Sequence, residues 1–342
     1  MKRNLLATAL AVALIATPVA LAGSPSQRHG TKAETIAVIG DIPYGDPLIA
    51  EFPADIQEIN ADPDVSRVLH LGDIKNGSSR CDTSYFQARL ADFQTFDGPL
   101  VYTPGDNEWT DCHRANNGGY LPTERLATIR DLFFPKHGKT LGQHKATVDY
   151  QSDRFPENTM WEQAGIVLGM VHVVGSNDDQ APWFTDRKDA GGTAVPETPA
   201  EAALQAREFL PREAAAIRWI DKVFDAAQDE HAPGLVVGMQ ADMWDPTAEQ
   251  SAFAPIKAVL ADRAARFGKP VLLFEGDSHV FKVDTPPGMP ANLTRVVVEG
   301  STTTPHEWLR LHVDPSSPRV FSCENVVFVT KTVTPCPGTL AP

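Results

Sequence analysis

The chain has 342 residues, with 30 basic and 44 acidic side chains and a formal net charge of −14 at pH 7. Residues 1–22 resemble a secretory signal peptide, because Lys2 and Arg3 precede an apolar run and Ala20-Leu21-Ala22 is typical of a cleavage site. Cleavage near Ala22 leaves 28 basic against 44 acidic residues, a net charge of −16. Such a surface repels nucleic-acid backbones and anionic membranes, so we expect a small substrate and no nucleic-acid polymer as partner, and a phosphorylated substrate would need local metal charge to bind.

We expect the mature chain, residues 23–342, to be a single exported domain, either periplasmic or secreted. The residue directly after the predicted cleavage site is not a cysteine, which disfavours a lipid anchor. No later apolar run is long enough to span a bilayer. A length of roughly 320 residues suits one large α/β domain. The sequence gives no indication of the oligomeric state.

The four cysteines are an even set, which in an exported chain indicates two disulfides. Four cysteines allow three pairings, and the sequence alone does not choose among them. We favour Cys81–Cys112, because each residue follows a predicted strand end by a few positions, on loops expected to be neighbours. The pair Cys323–Cys336 would then tether the C-terminal tail. A zinc site is the alternative, but no two cysteines are close in sequence.

Three apolar segments in the first third of the chain each end in an aspartate. They are 36–41, 68–73 and 100–106, and the aspartates Asp41, Asp73 and Asp106 follow one another at intervals of 32 and 33 residues. This spacing fits successive strand-helix-strand units of about thirty residues, and so predicts three parallel strands. The carboxyl ends of these strands would bring the three carboxylates together. Because adjacent carboxylates repel one another, a divalent metal ion is their expected partner.

Helices are predicted between and after these strands, through 55–59, over 85–96 and over 122–133. Two further strands, around 146–150 and over 166–174, are expected to pair with each other. Residues 177–198 are rich in Asp, Gly and Pro and too long for a plain connection, so they are either a functional lid or a mobile insert.

The next segment begins with a capping box at Thr198–Glu201, which opens a helix that we expect Pro211 to interrupt. A strand over 235–239 leads to Gln240. A second capping box, at Thr247–Gln250, predicts a helix that runs to about residue 267.

A fifth strand, over 271–275, leads to Gly276-Asp277-Ser278-His279. Beyond it the pattern changes to short strands without helices, over 280–283, 295–299, 308–313 and 326–332. Alternating helices and strands followed by a strand-rich tail predict two packed sheets with helices outside, rather than two domains.

The order of these motifs resembles the calcineurin-like metallophosphoesterase superfamily. The family's motifs run Asp-x-His, Gly-Asp, Gly-Asn-His-Asp/Glu, a strand-end His and Gly-His-x-His. This chain has, in the same order, Asp41-Ile42-Pro43, Gly72-Asp73, Gly105-Asp106-Asn107-Glu108, Gln240 and Gly276-Asp277-Ser278-His279. The resemblance covers nearly the whole mature chain. It implies a four-layer α/β/β/α sandwich, with two mixed sheets flanked by helices, that carries two metal ions.

Residue by residue, the resemblance implies two neighbouring metal sites. The ligands of the first would be Asp41, Asp73 and His279. The ligands of the second would be Asp73, which bridges, together with Asp106, Gln240 and Asp277. Because oxygen-bearing side chains replace several of the family's histidines, we expect Mn²⁺, Mg²⁺ or Ca²⁺ rather than Zn²⁺, with iron as a further candidate. Tyr44 is an alternative ligand for the first site, and Asp242 an alternative to Gln240.

The resemblance also implies a mechanism, in which a metal-activated hydroxide attacks the phosphorus of a small phosphomonoester or phosphodiester. The family's leaving-group acid corresponds to Asn107, which has no proton to transfer. Either His113 or His172 replaces that acid, or the substrate's leaving group needs no protonation. Glu108 either orients a ligand or simply caps the loop.

Several polar residues have an ordinary structural interpretation beside the functional one. His70 and His172 lie within apolar strands, where a histidine is commonly a hydrogen-bonded core residue. Arg114 would suit bidentate binding of a phosphate, but a loop arginine is commonly solvated. Asn177, at a strand end, either contacts substrate or forms a turn.

Two other functions remain open at this stage. One is a catalytically impaired descendant of the family, which binds a divalent ion or another ligand without turnover. The other is a hydrolase that uses its paired carboxylates directly as acid and base, as glycosidases do. Activity of the latter would survive a chelator.

Overall fold

The computed structural model describes residues 32–338 and 340, so the predicted signal peptide at residues 1–22 lies outside the described residues. The strands are β1 (Glu34–Ile39), β2 (Val65–His70), β3 (Leu100–Tyr102), β4 (Asp149–Ser152), β5 (Phe155–Gln163), β6 (Ile166–Met170), β7 (Leu235–Gly238), β8 (Val271–Glu275), β9 (Lys282–Asp284), β10 (Leu293–Val297), β11 (Glu307–Val313), β12 (Phe321–Val327) and β13 (Val333–Pro335). The helices are α1 (Gly45–Asn60), α2 (Thr83–Phe93), α3 (Pro122–Phe133), α4 (Gly175–Asp179), α5 (Pro199–Asp229) and α6 (Ala254–Phe267).

The first sheet has six strands in the order β13-β12-β11-β1-β2-β3. Strands β1, β2 and β3 are parallel, as the regular spacing of the three aspartates predicts. Strand β11 runs antiparallel to β1, and β12 and β13 continue the antiparallel half. The carboxyl ends of the three parallel strands therefore lie at one edge of this sheet.

The second sheet has seven strands in the order β4-β5-β6-β7-β8-β10-β9. Its centre, β6-β7-β8-β10, is parallel, and antiparallel strands flank it on both sides. Strands β6, β7 and β8 are completely buried, as expected for strands covered on both faces.

Three apolar cores separate four layers. One core packs α5 and α6 against the second sheet, and includes Trp219, Phe224 and Leu260. The central core lies between the two sheets, and the third packs α1, α2 and α3 against the first sheet. This arrangement is the predicted four-layer α/β/β/α sandwich of two mixed sheets, and it confirms the fold class.

The expected pairing of strands around 146–150 and 166–174 is wrong. Strand β5 lies between them and pairs with both β4 and β6. Its segment carries polar residues, and Glu157 and Asn158 are both fully buried. Glu157 is paired with Arg130, and Asn158 donates to Gln151. These partners let a polar segment form an interior strand, which hydrophobic patterning does not reveal.

Two expectations about helices are also wrong. Helix α5 continues through Pro211 over 31 residues, because residues on both sides of the proline, such as Phe209 and Ala215, are buried against the protein. Residues Thr247–Gln250 do not cap a helix: the Thr247 hydroxyl bonds to Asp245, and α6 begins only at Ala254. The capping box at Thr198 and Glu201 is present as predicted.

The final predicted strand, 326–332, is only partly correct. Strand β12 ends at Val327, and a turn follows in which Val329 and Lys331 have positive φ values of 70° and 56°.

Both predicted disulfides are present, with Cα–Cα distances of 5.7 Å for Cys81–Cys112 and 5.4 Å for Cys323–Cys336. Among the described residues, no helix combines the length and apolar character needed to cross a membrane.

Candidate metal centre

The carboxyl ends of six parallel strands, three from each sheet, meet in one place. Asp41, Asp73 and Asp106 follow β1, β2 and β3 of the first sheet. Strands β6, β7 and β8 of the second sheet lead to α4, to Gln240, and to Asp277 and His279. Ligand sites of α/β sheets lie at such strand ends.

Asp73, Asp106 and Asp277 form the centre of this site. Each offers one carboxylate oxygen, and these oxygens all lie within 4.8 Å of one another. Burial raises the pKa of Asp73 well above its usual value, and the charges of Asp106 and Glu108 add to this. Burial likewise raises the pKa of Asp277, to which the charges of Asp106 and Asp41 contribute. The cluster is therefore a concentration of negative charge that needs a compensating cation or protons.

The strand-end residues adopt unusual backbone conformations. Asp41, Asp73, Asp277 and His279 all have left-handed φ values, between 55° and 66°. Such conformations cost of order 1–3 kcal/mol each and commonly occur at functional sites. The glycines beside them allow a close approach: a Cβ at Gly105 would lie 2.1 Å from Asp73 Oδ1. The Gly-Asp pattern of the sequence thus places carboxylates directly against a neighbouring backbone.

Asp41 and His279 form the second part of the site. His279 Nε2 lies 3.2 Å from Asp41 Oδ1, and His279 Nδ1 lies 2.7 Å from Thr302 Oγ1. Burial lowers the pKa of His279, but the hydrogen bond and charge of Asp41 outweigh this and raise it overall. The backbone N–H of Asp277 donates to both oxygens of Asp41 at 3.1 Å, which links this pair to the carboxylate cluster.

Tyr44 joins the two parts. Its hydroxyl donates to Asp73 Oδ2 at 3.1 Å and lies 3.5 Å from Asp41 Oδ1. Burial and the charges of Asp73 and Asp41 raise the pKa of Tyr44 well above its usual value. Tyr44 is therefore a neutral donor at neutral pH, in contact with two of the predicted ligands.

Asn107 and Glu108 lie on the loop after β3, and both orient Asp73. Asn107 donates from its backbone to Asp73 Oδ1 at 3.0 Å and from Nδ2 to Asp73 Oδ2 at 2.7 Å. Glu108 Oε1 accepts from the backbone N–H of Asp73 and of Gly105, and from the Tyr102 hydroxyl. Glu108 is fully buried behind the cluster, a position suited to holding the loops together.

Gln240 lies inside the cluster but presents its amide nitrogen to it. Its Oε1 accepts the backbone N–H of Gly175 at 2.6 Å, and its Nε2 donates to Asp106 Oδ1 at 3.1 Å. This orientation holds Asp106 and turns the amide oxygen away from the carboxylates. Asp242 is also occupied, because its oxygens accept from Arg295 and from the Ser278 hydroxyl.

Neither His113 nor His172 forms a hydrogen bond to the carboxylate cluster in the described part of the chain. His113 Nδ1 accepts the backbone N–H of Phe184, and burial lowers the pKa of His113 to about 4. His172 is fully buried, with Nδ1 2.9 Å from Glu157 Oε1, and burial lowers its pKa. Both are neutral at pH 7, and His172 has the environment of a core residue.

Sequence reasoning missed Ser176 and Asp111. Helix α4 is one left-handed turn, in which Ser176, Asn177 and Asp178 have φ values of 52°, 55° and 53°. The turn places the Ser176 hydroxyl 2.8 Å from Asp106 Oδ2 and 2.9 Å from Asp111 Oδ1. Burial, with the charge of Asp106, raises the pKa of Asp111 to about 7. No helix or strand pattern signals such a turn.

The donor set fits a divalent metal. Within residues 32–338, no lysine or arginine is ion-paired with Asp73, Asp106 or Asp277, whose partners are the neutral groups of Tyr44, Asn107, Ser176 and Gln240. The nearby Lys75 is buried, and its Nζ donates to the carbonyl oxygens of Asn76 and Asn107. Clustered carboxylate oxygens are the ligands that Mg²⁺, Ca²⁺ and Mn²⁺ prefer.

Two packed mixed sheets with an acidic centre at their strand ends define a metallophosphoesterase-like fold. A dimetal phosphatase from Danio rerio is similar, with a TM-score of 0.57 and 12% identity over 90% of this chain and 99% of the other. GAP50, the anchor in the inner membrane complex of Plasmodium, has a TM-score of 0.52 and 10% identity, over 90% of this chain and 89% of its own. No protein-family model and no curated protein sequence matches the chain. The structural likeness confirms, at the level of the fold, the superfamily resemblance seen in the sequence.

Proposed function

We propose that the protein is an exported, metal-dependent phosphoesterase that hydrolyses a small phosphomonoester or phosphodiester. The observation that carries the proposal is the cluster of Asp73, Asp106 and Asp277 at the strand ends, each of which offers one carboxylate oxygen within 4.8 Å of the others. The same fold in a dimetal phosphatase supports it. Two disulfides suit an oxidising compartment outside the cytoplasm.

The residues that would hold a divalent pair are Asp41, Asp73 and His279 on one side and Asp73, Asp106 and Asp277 on the other. A bound pair supplies positive charge for the phosphoryl oxygens and a hydroxide nucleophile near neutral pH. We assign Gln240 to orienting Asp106 rather than to ligation, because its amide oxygen is used by Gly175. The oxygen-rich set favours Mn²⁺ or Mg²⁺ over Zn²⁺.

The chain's own residues would fix the geometry of the centre. Asn107 and Tyr44 donate to Asp73 and hold its carboxylate in one orientation. Such orienting hydrogen bonds typically change metal affinity or activity by about 10–100-fold. Because Asn107 has no proton to transfer, a substrate with a good leaving group, which needs little protonation, suits the site best.

A second candidate function is binding without turnover on the same fold. The specific observations in its favour are Asn107 at the position of the family's acid and the amide nitrogen of Gln240 directed at Asp106. The solved structures of this fold include GAP50, which is described as an anchor. In this case the acidic centre would bind a divalent ion for structural reasons.

Hydrolysis assays on chelated and reconstituted protein distinguish these functions. The purified mature chain is treated with a chelator, dialysed, and assayed on aryl phosphomonoester and diester substrates with Mn²⁺, Mg²⁺, Ca²⁺ or no ion. Phosphoesterase function predicts turnover that the chelator abolishes and an added ion restores. Ion binding without turnover indicates the binding protein, and hydrolysis of glycosides that survives the chelator indicates a carboxylate-based hydrolase.

A further inference from the structure

Arg114 brings a guanidinium group to the edge of the carboxylate cluster. Its Nη1 lies 2.5 Å from Asp111 Oδ2, and Asp111 is connected through the Ser176 hydroxyl to Asp106 Oδ2. Arg114 and Asn107 both lie next to Gly77. A Cβ atom added to Gly77 would be 3.3 Å from Arg114 Nη1 and 2.9 Å from Asn107 Oδ1. The Asn107 amide bonds directly to Asp73, whereas Arg114 is linked to Asp106 through two side chains, Asp111 and Ser176.

One edge of this guanidinium is available to a ligand. The contacts of Arg114 within the described residues use Nη1, to Asp111 and to the carbonyl oxygen of Gly77. Its Nε and Nη2 donors form no hydrogen bond to the described residues. The side chain is 40% exposed, whereas Asp111 is 4% exposed. The buried carboxylate thus holds Nη1, and the partial exposure of the Arg114 side chain leaves room for a ligand.

The loops around Arg114 are tied together, which keeps the guanidinium in place. The Cys81–Cys112 disulfide joins the loop after β2 to the short turn that precedes Arg114. Asn117 Nδ2 donates to the carbonyl oxygens of Gly77 and Asp111, both at 2.9 Å. A preorganised donor loses little conformational entropy when it binds.

We propose that Arg114, oriented by Asp111, binds a terminal oxygen of the substrate's phosphoryl group and makes the site selective for phosphomonoesters. The proposal rests on the phosphoesterase function inferred above. An arginine fork matches the geometry of a phosphate and forms strong charge-assisted hydrogen bonds. It also supplies positive charge close to Asp106 and Asp111 of a strongly acidic site, where a dianionic substrate needs it.

The number of terminal oxygens explains the selectivity. A phosphomonoester has three terminal oxygens, and a phosphodiester has two. A bound metal pair would supply positive charge to some of these oxygens. If it engages two of them, only a monoester retains a third for Arg114. A monoester therefore gains more from this residue than a diester does.

The test compares Arg114→Ala and Arg114→Lys with Arg80→Ala, a matched control. Arg80 is an exposed arginine of the neighbouring loop and is paired with Asp82. Binding of inorganic phosphate to the metal-loaded protein is measured by calorimetry, and kcat/KM is measured on one aryl phosphomonoester and one aryl phosphodiester. Thermal melting shows whether each variant is folded.

We expect Arg114→Ala to weaken phosphate binding and to lower kcat/KM for the monoester by at least about tenfold, with a change of less than about threefold for the diester. Arg114→Lys keeps the charge but not the fork, so its values should fall in between. Arg80→Ala should match the wild type. Unchanged phosphate affinity in folded Arg114→Ala would overturn the proposal, and equal losses for both esters would overturn the selectivity.

These results separate the inference from the function on which it rests. A wild-type protein without metal-dependent turnover would contradict the phosphoesterase function, whereas calorimetry would still test Arg114 directly. Phosphate binding by the wild type that Arg114→Ala loses supports the anion site even then. A metal-loaded wild type that binds no phosphate overturns the inference.

Discussion

Asn107 donates hydrogen bonds to both carboxylate oxygens of Asp73, from its backbone N–H at 3.0 Å and from Nδ2 at 2.7 Å. Its amide also donates to the Tyr44 hydroxyl at 3.1 Å. The residue at the position of the family's acid is thus a positioning group for the central aspartate. Its effect on catalysis should pass through metal binding rather than proton transfer.

Replacing Asn107 with alanine should weaken Mn²⁺ binding by about 10–100-fold, because Asp73 loses the side-chain donor that fixes its orientation. Calorimetric titration of the chelated protein with Mn²⁺ measures this. Asn60→Ala is the matched control, since the Asn60 amide bonds to Thr95 and Asp97 at the end of α1. Equal affinities in the two variants would show that Asp73 does not depend on Asn107.

Gly105→Ala should disrupt the centre more than most single changes in a loop. A Cβ at this position would lie 2.1 Å from Asp73 Oδ1 and 2.5 Å from the Asp73 backbone nitrogen, so Asp73 or the loop must move. We expect loss of measurable Mn²⁺ binding and a lower melting temperature. Gly98→Ala is the control, because its nearest atom, Ser66 O, is 3.6 Å away. Wild-type metal affinity in Gly105→Ala would contradict the described packing.

The two disulfides should differ in their influence on the metal centre. Cys81–Cys112 spans 31 residues and Cys323–Cys336 spans 13, so loop-closure entropy predicts stabilisation of about 4 and about 3 kcal/mol, respectively. Double serine variants compared by urea unfolding and Mn²⁺ titration test this. Both should lose stability, but only Cys81→Ser with Cys112→Ser should also lose metal affinity, because that disulfide holds the loops of Asn107 and Arg114. Reduced affinity in the other double variant would oppose this view.

Metal stabilisation should depend on pH. Burial raises the pKa of Asp73 and Asp277 above the unfolded value of about 4, so the folded, metal-free chain retains protons that the unfolded chain releases. Stability of the metal-free protein from these groups is therefore lost as the pH rises above about 4 toward neutrality. Protons also compete with metal for the same oxygens. Melting with and without Mn²⁺ should show a larger gain at pH 8 than at pH 5.5; a gain that is equal or smaller at pH 8 would contradict this.

Much of the fold follows from features that act locally along the chain. The Gly-Asp endings at Asp41, Asp73 and Asp106, at intervals of 32 and 33 residues, are sufficient to predict parallel strands that converge on one acidic site. Strand β5 was not predicted because hydrophobic patterning does not reveal the partners of its polar residues: Glu157 pairs with Arg130, 27 residues away, and Asn158 donates to Gln151 on the neighbouring strand β4.

The details of the site depend on contacts that the sequence does not encode locally. The backbone N–H of Gly175, 65 residues away, donates to the Gln240 amide oxygen. This bond determines that the amide nitrogen, and not the oxygen, is directed at the carboxylates. Ser176 reaches Asp106 and Asp111 only because α4 is left-handed. Motif comparison could therefore locate the clustered acidic residues but not the orientation of the side chains around them.

The most direct test of the central claim is the metal content of the purified mature protein, determined by elemental analysis together with hydrolysis of an aryl phosphomonoester. Wild-type protein is compared with Asp73→Asn and with Asp64→Asn, an exposed aspartate before β2. A divalent phosphoesterase predicts bound divalent ion and metal-dependent turnover in the wild type and in Asp64→Asn, and loss of both in folded Asp73→Asn. Absence of bound ion and of turnover across Mn²⁺, Mg²⁺ and Ca²⁺ in the wild type would contradict it.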